Sequence, residues 1–142
     1  NKNWSNQYKL VINSKHMVES ARKLGGFQNK SLKIEFPSWV SDEYYFHFLR
    51  GYIDGDGSIF KTEKRMSFIA TESFCNSVSK YLYDNLSVHC SISVCHNKTD
   101  VPTRDLRISG AKQVKTVLDK IYENASIYLD RKYKIYESIY LN

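Results

Sequence analysis

The sequence predicts an α+β domain: one antiparallel sheet with helices on one face. Three observations predict it. From Asp42 onward the hydropathy and capping pattern runs helix, strand, strand, helix, strand, strand, helix, helix. The strands come as two hairpins, with no parallel crossover between them. At 142 residues, 42% of them hydrophobic and 14% aromatic, the chain can bury a core without disulfide or metal staples.

Taken in order, Tyr8 to Asn13 alternates as a short strand. Ser14 is an N-cap for a helix from Lys15 to about Leu24, closed by Gly25-Gly26. Gln28 to Ser38 is a connector, because Pro37 forbids a helix through it. Ser41 precedes Asp42 and Glu43, acids suited to a helix N-terminus, and starts a helix rich in Tyr, Phe, Leu and Ile that ends at Gly55 to Gly57. Ser58 to Lys61 and Met66 to Ala70 are strands around a polar turn. Thr71 caps a helix from Glu72 to Leu86. Val88 to His96 and Arg104 to Ile108 form the second hairpin. Ser109 is a cap for a helix from Ala111 to Tyr122, and a last helix runs from about Ser126 to Ile139.

Charge narrows the partners. Lys plus Arg is 21 against 15 Asp plus Glu, a net charge of +6, which makes a polyanion the first partner to consider. No apolar run reaches the roughly 18 residues of a membrane span, so no membrane role is expected. Three cysteines, Cys75, Cys90 and Cys95, without a CxxC pair argue against a disulfide scaffold and suit a reducing, intracellular compartment.

The informative segment is Leu49-Arg50-Gly51-Tyr52-Ile53-Asp54-Gly55-Asp56-Gly57-Ser58. A helix C-terminus carries partial negative charge, so two aspartates there are unfavourable unless a cation compensates them. A divalent ion is one such cation; a plain C-cap and turn is the alternative. Gly51 and Gly55 lie one turn apart on one face, a spacing that admits a second helix at close range. A like helix docked there would bring a second acidic end beside Asp56. An EF-hand is excluded, since Ile59 stands where glycine is required and Arg65 where a bidentate Glu is required. His89-Cys90 and Cys95-His96 do not make one zinc site, because Cys90 and Cys95 point to opposite faces of a continuous strand.

This segment resembles the signature of the LAGLIDADG homing endonucleases. Leu49, Gly51, Ile53, Asp54, Asp56 and Gly57 match its consensus letters; Arg50, Tyr52 and Gly55 replace Ala, Leu and Ala. The resemblance covers about 100 residues and implies the family's α-β-β-α-β-β-α repeat, in which a saddle-shaped sheet lies over the DNA major groove and two motif helices pack together. It implies that Asp56 binds Mg²⁺ (or Mn²⁺) with the carbonyl of Gly55, and that Asp54 caps the partner helix. Lys112 would stand near the scissile phosphate, with Thr71 or Glu72 ordering water. The activity implied is site-specific, Mg²⁺-dependent hydrolysis of double-stranded DNA. The alternative is a nucleic-acid-binding module that does not cut: an intron RNA maturase or a DNA-binding regulator on the same fold.

DNA contacts are expected from exposed hairpin residues: Lys61, Lys64, Arg65 and Ser67 on the first, and Ser91, Ser93, Asn97, Lys98, Arg104 and Arg107 on the second. A one-residue error in strand parity would reverse these choices. Arg131, Lys132 and Lys134, outside the sheet, are expected at most to contact phosphates. An active site of this type needs two motifs, and this chain carries one. The second comes from a partner chain, as a homodimer, or from an upstream repeat. Leu10, Ile12 and Val18 recur as Leu106, Ile108 and Val114 at an offset of 96. Residues 1–37 therefore read as the strand, helix and linker that close a preceding repeat, and 38–142 as the repeat itself.

Overall fold

The computed structural model describes residues 11–26, 33–95 and 103–140. The elements are α1 (Lys15–Lys23), α2 (Asp42–Asp56), β1 (Ser58–Phe60), β2 (Arg65–Thr71), α3 (Glu72–Leu86), β3 (Cys90–Val94), β4 (Thr103–Ser109), α4 (Ala111–Tyr122) and α5 (Asp130–Tyr140). The four strands form one antiparallel sheet in the order β1-β2-β4-β3. The fold class is α+β, as the two-hairpin pattern predicts.

The β2–β4 ladder, seven residues long from Arg65↔Ser109 to Thr71↔Thr103, is the spine. Alternation sends Met66, Phe68, Ala70, Leu106 and Ile108 to one face. There they meet Leu49 and Ile53 of α2, Phe74, Val78 and Leu82 of α3, and Val114, Val117, Leu118 and Ile121 of α4, all essentially buried. Rings dominate the α2–α3 seam: Tyr45 stacks on Tyr81, and Phe36 stacks on Tyr45 with centroids 4.8 Å apart. The connector is thus docked on the repeat through Phe36, and Ile34 accepts a hydrogen bond from the Thr71 hydroxyl.

The caps act much as read. Ser14 Oγ accepts from Met17 N at 3.3 Å, and Thr71 Oγ1 from Phe74 N at 3.2 Å. Ser41 precedes α2 without a side-chain cap bond. Three expectations are corrected. Gly110, at φ +93, takes the N-cap of α4 in place of Ser109; that backbone lies in the region glycine enters without a Cβ penalty. Helix α5 starts at Asp130 rather than Ser126. Val11 to Asn13 form no strand: a strand needs a neighbour to bond, and none lies beside them among the described residues. The rest of that expected strand, residues 8–10, and residues 28–32 of the connector lie outside the described residues.

Helix α1 is amphipathic yet has no buried residue. Met17, Val18 and Leu24 are all about half exposed, whereas Val114, the counterpart of Val18, is buried in α4.

Candidate functional site

The motif helix α2 has two faces. Tyr45, Leu49 and Ile53, at helical spacing, bury it in the core. Arg50 Nη1 donates to Ile121 O at 2.9 Å, tying α2 to the end of α4, and bonds His47 Nδ1 at the same distance. Tyr52 O–H donates to Ile69 O at 3.1 Å, tying α2 to β2. The opposite face is bare. A Cβ built on Gly51 or Gly55 meets no atom within 4 Å. Along that face runs a groove of about 1290 Å³, lined by Gly51, Gly55 and Asp56 and flanked by Trp39, Phe48 and Ile69. Trp39 is 54% and Ile69 45% exposed, so the groove is open; Leu24 at the end of α1 also lines it, and Lys23, Glu35 and His47 add polar groups to its walls.

The helix ends on its acids. Gly57 closes it with its N–H on Ile53 O at 2.8 Å; a Cβ there would sit 2.8 Å from that same oxygen, so only glycine fits. Asp54 is engaged within its own chain: its Oδ2 accepts from Leu129 N at 3.0 Å, one residue before α5. It caps α5, whereas the resemblance placed it on a partner helix. Its Oδ1 is buried without a partner among the described residues. Asp56 is exposed at the foot of the glycine face. Burial pushes the Tyr52 phenol, one turn before Asp56, up to about 12, with the charge of Asp56 adding to the rise.

Sequence reasoning missed the group beneath this end. Lys132, expected at most to touch phosphate, is 1% exposed. Its ammonium donates to the carbonyls of Ile53, Asp54 (2.9 Å) and Gly57 (2.6 Å). Burial lowers its pKa, and Arg131 adds to the fall, while Asp54 and Asp56 oppose it. The available signal was the stripe Leu129, Lys132, Tyr136 and Tyr140, at i, i+3, i+7 and i+11 leading into and along α5, which puts a lysine on the apolar face.

The residues fit a divalent ion as half a site. Mg²⁺ demands about six oxygen ligands. This chain presents the Asp56 carboxylate and the Gly55 carbonyl at one exposed helix end, and among the described residues no three of His, Cys, Asp and Glu gather to hold an ion. An ion would need a second acidic end and water. Lys112 is exposed on the first turn of α4, beyond Gly110, whose N–H bonds Lys64 O at 3.0 Å at the tip of the first hairpin. No ion pair joins Lys112 to Asp56. Glu72, a candidate for ordering water, instead pairs with Arg104.

The sheet's outer face settles the strand parity. One row across all four strands reads Ser58, Ser67, Arg107, Ser91; the next reads Ile69, Asp105, Ser93. Arg107 is half exposed and its guanidinium is held by Asp105 at 2.6 Å. Arg65 lies over the Phe60 ring, 4.2 Å from its centroid. Lys61 is exposed and Lys64 half-buried at the turn, the latter with φ +47. Arg104 is corrected: it shares its parity with Leu106 and Ile108, points to the core face, and pairs with Glu72 at 2.7 Å. Asn97 and Lys98 lie outside the described residues. Arg131 and Lys134 are exposed on α5.

The family model described as LAGLIDADG-like domain matches residues 43–122, more than half of the chain. No curated protein matches it. Among solved structures, it is similar to the N-terminal LAGLIDADG domain of DUF199/WhiA, with 20% identity, 61% of this chain and 44% of that one covered, and a TM-score of 0.47. It is also similar to full-length DUF199/WhiA from Thermatoga maritima, with 19% identity, 66% and 37% covered, and a TM-score of 0.48. The chain spans less than half the length of either. Among the described residues no helix is long and apolar enough to cross a membrane.

Proposed function

The chain belongs to the LAGLIDADG-like domain family, and on that premise we propose that it supplies one half of a site-specific, Mg²⁺-dependent endonuclease of double-stranded DNA. The observation that carries this is the bare glycine face of α2 ending on the exposed acid Asp56. Among the described residues nothing in the core needs Gly51 or Gly55, and nothing there needs an acid at position 56. All three serve a second motif helix, from an upstream repeat or a second copy. The exposure of Val18 on α1 favours the upstream repeat, because its counterpart at the offset of 96, Val114 of α4, is a core residue.

Each group then has a task. Asp56 and the Gly55 carbonyl would hold the ion with the partner's acid. Mg²⁺ supplies Lewis-acid stabilisation of the phosphate and an activated water. The outer sheet face holds the duplex: Arg107, positioned by Asp105, with Ser67 and Ser91 in its row, faces base edges, while Lys61, Lys64, Arg65 and Lys112 neutralise phosphates. Arg50 and Tyr52 fix α2 against α4 and β2, so that Asp56 keeps its place when DNA docks.

A second reading is a DNA-binding domain that does not cut. Lys132 favours it, since an internal ammonium already balances the acidic end and the two aspartates alone do not demand a metal. Incubating the intact protein with a randomised duplex library, with Mg²⁺ or with EDTA, and sequencing broken ends separates the two. Recurrent breaks at one motif with Mg²⁺ support the nuclease; retention of that motif without breaks supports the binder.

A further inference from the structure

Lys132 is the one buried charged side chain among the described residues. A lysine is almost never fully buried without a partner. Its partners are not carboxylates but three carbonyls, those of Ile53, Asp54 and Gly57, all at the end of α2. An ammonium has three donors, so all are spent. These oxygens lie where the helix concentrates its negative pole. The carbonyl of Gly55, in the same turn, is not among them. Three residues earlier, Leu129 N–H binds the Asp54 carboxylate. The start of α5 therefore grips the motif end twice from the core side, while Gly55 and Asp56 stay exposed on the groove side.

We infer that Lys132 is the positioning residue of the site: a resident counter-cation that fixes the acidic end of α2 and balances Asp54 and Asp56 before any ion or partner helix arrives. The counter-cation itself stands on the three carbonyl bonds at the acidic end of α2, whatever the activity. The positioning of a reactive Asp56 rests on the endonuclease reading. On this account the chain keeps Asp56 presented to the groove without metal, and a divalent ion adds to a formed site instead of building it.

The test is a cycle of thermal melts on the intact protein in EDTA, with wild type, Lys132→Met, Asp56→Asn and the double variant. Lys132→Met is expected to lower Tm by roughly 10 °C, because three carbonyls lose their donor. Asp56→Asn should leave the wild type within about 2 °C but raise Lys132→Met by about 3–5 °C, since the uncompensated acid is then removed from a helix C-terminus. Equal shifts from Asp56→Asn in both backgrounds overturn the counter-cation. If Lys132→Met does not fold, Lys132→Gln, which keeps two N–H donors without the charge, replaces it in the cycle. If neither folds, Asp56→Asn alone decides: a rise above about 2 °C in EDTA means the acid was never balanced. In a protein that cuts, Lys132→Gln should raise the Mg²⁺ needed for half-maximal cutting severalfold while DNA affinity holds within twofold. Unchanged Mg²⁺ dependence overturns the positioning role. A coupled cycle in a protein that never cuts leaves the counter-cation standing and removes only the endonuclease reading.

Discussion

Gly51→Ala should make the lone chain more stable and its assembly weaker. Gly51 sits mid-helix in α2, and a Cβ there meets nothing within 4 Å. Glycine in a helix interior costs about 0.8–1.0 kcal/mol relative to alanine. With no clash to offset it, alanine recovers that amount, a Tm rise of about 3–4 °C for a domain of this size. Gly55→Ala, in the last turn where helices fray, gains less. The effect on pairing has the opposite sign. A second helix seated on the glycine face comes within backbone distance, and a methyl group holds it off. Gly51→Leu fills the groove further and should weaken association and cutting by at least about tenfold, equivalent to 1.4 kcal/mol. Melts at low protein concentration report the first effect; sedimentation and cleavage report the second. A Gly51→Ala chain that melts lower than wild type would refute the reasoning, because the face would then already be covered. So would a Gly51→Leu protein that pairs and cuts as well as wild type.

Arg104→Ala should leave DNA affinity within about twofold and cost less than about 1 kcal/mol of stability, because its partner Glu72 is 57% exposed and the pair is screened. Arg107→Ala should weaken binding and relax specificity at one base position; the reverse order of the two arginines would invert the assigned sheet face. Alkaline pH should destabilise the fold. Burial raises Tyr52 from 10 to about 12 and Cys75 from 9 to about 11 in the folded chain. Both hold their protons more tightly folded than unfolded, so their contribution is complete below the unfolded values and disappears as pH climbs from about 9 to 12. Each group lowers stability by at most about 1.4 kcal/mol per pH unit in that window, less for half-buried Tyr52. Melts at pH 7 to 11 check this: Tyr52→Phe should flatten the loss, and an unchanged Tm between pH 9 and 11 would contradict it.

Local signals carried most of the fold. Thr71 and Ser14 cap the helices that their sequence positions announce, and the observed bounds of α3 and α4, Glu72–Leu86 and Ala111–Tyr122, agree with the expected ones. What failed was set by tertiary context. Arg104 and Arg107 are three residues apart on one strand, so period-2 alternation cannot put both on one face; choosing between them required the β2–β4 register. The N-cap shift from Ser109 to Gly110 reflects a bond to the hairpin tip at Lys64, 46 positions away in sequence. Val11 to Asn13 have strand composition but no neighbour to pair with among the described residues. Asp56 and the two glycines were legible as a motif; Lys132 was not, because a lysine on a helix is ordinarily solvated and only the end of α2 makes this one internal.

The measurement that bears most directly on the account is cleavage by Asp56→Asn alongside its DNA affinity, on the duplex that the intact protein selects, in Mg²⁺. The account predicts affinity within about threefold of wild type, because Asp56 does not belong to the sheet face proposed to hold the duplex, and no detectable cutting above the uncatalysed rate. Cutting by Asp56→Asn at the wild-type rate would contradict it.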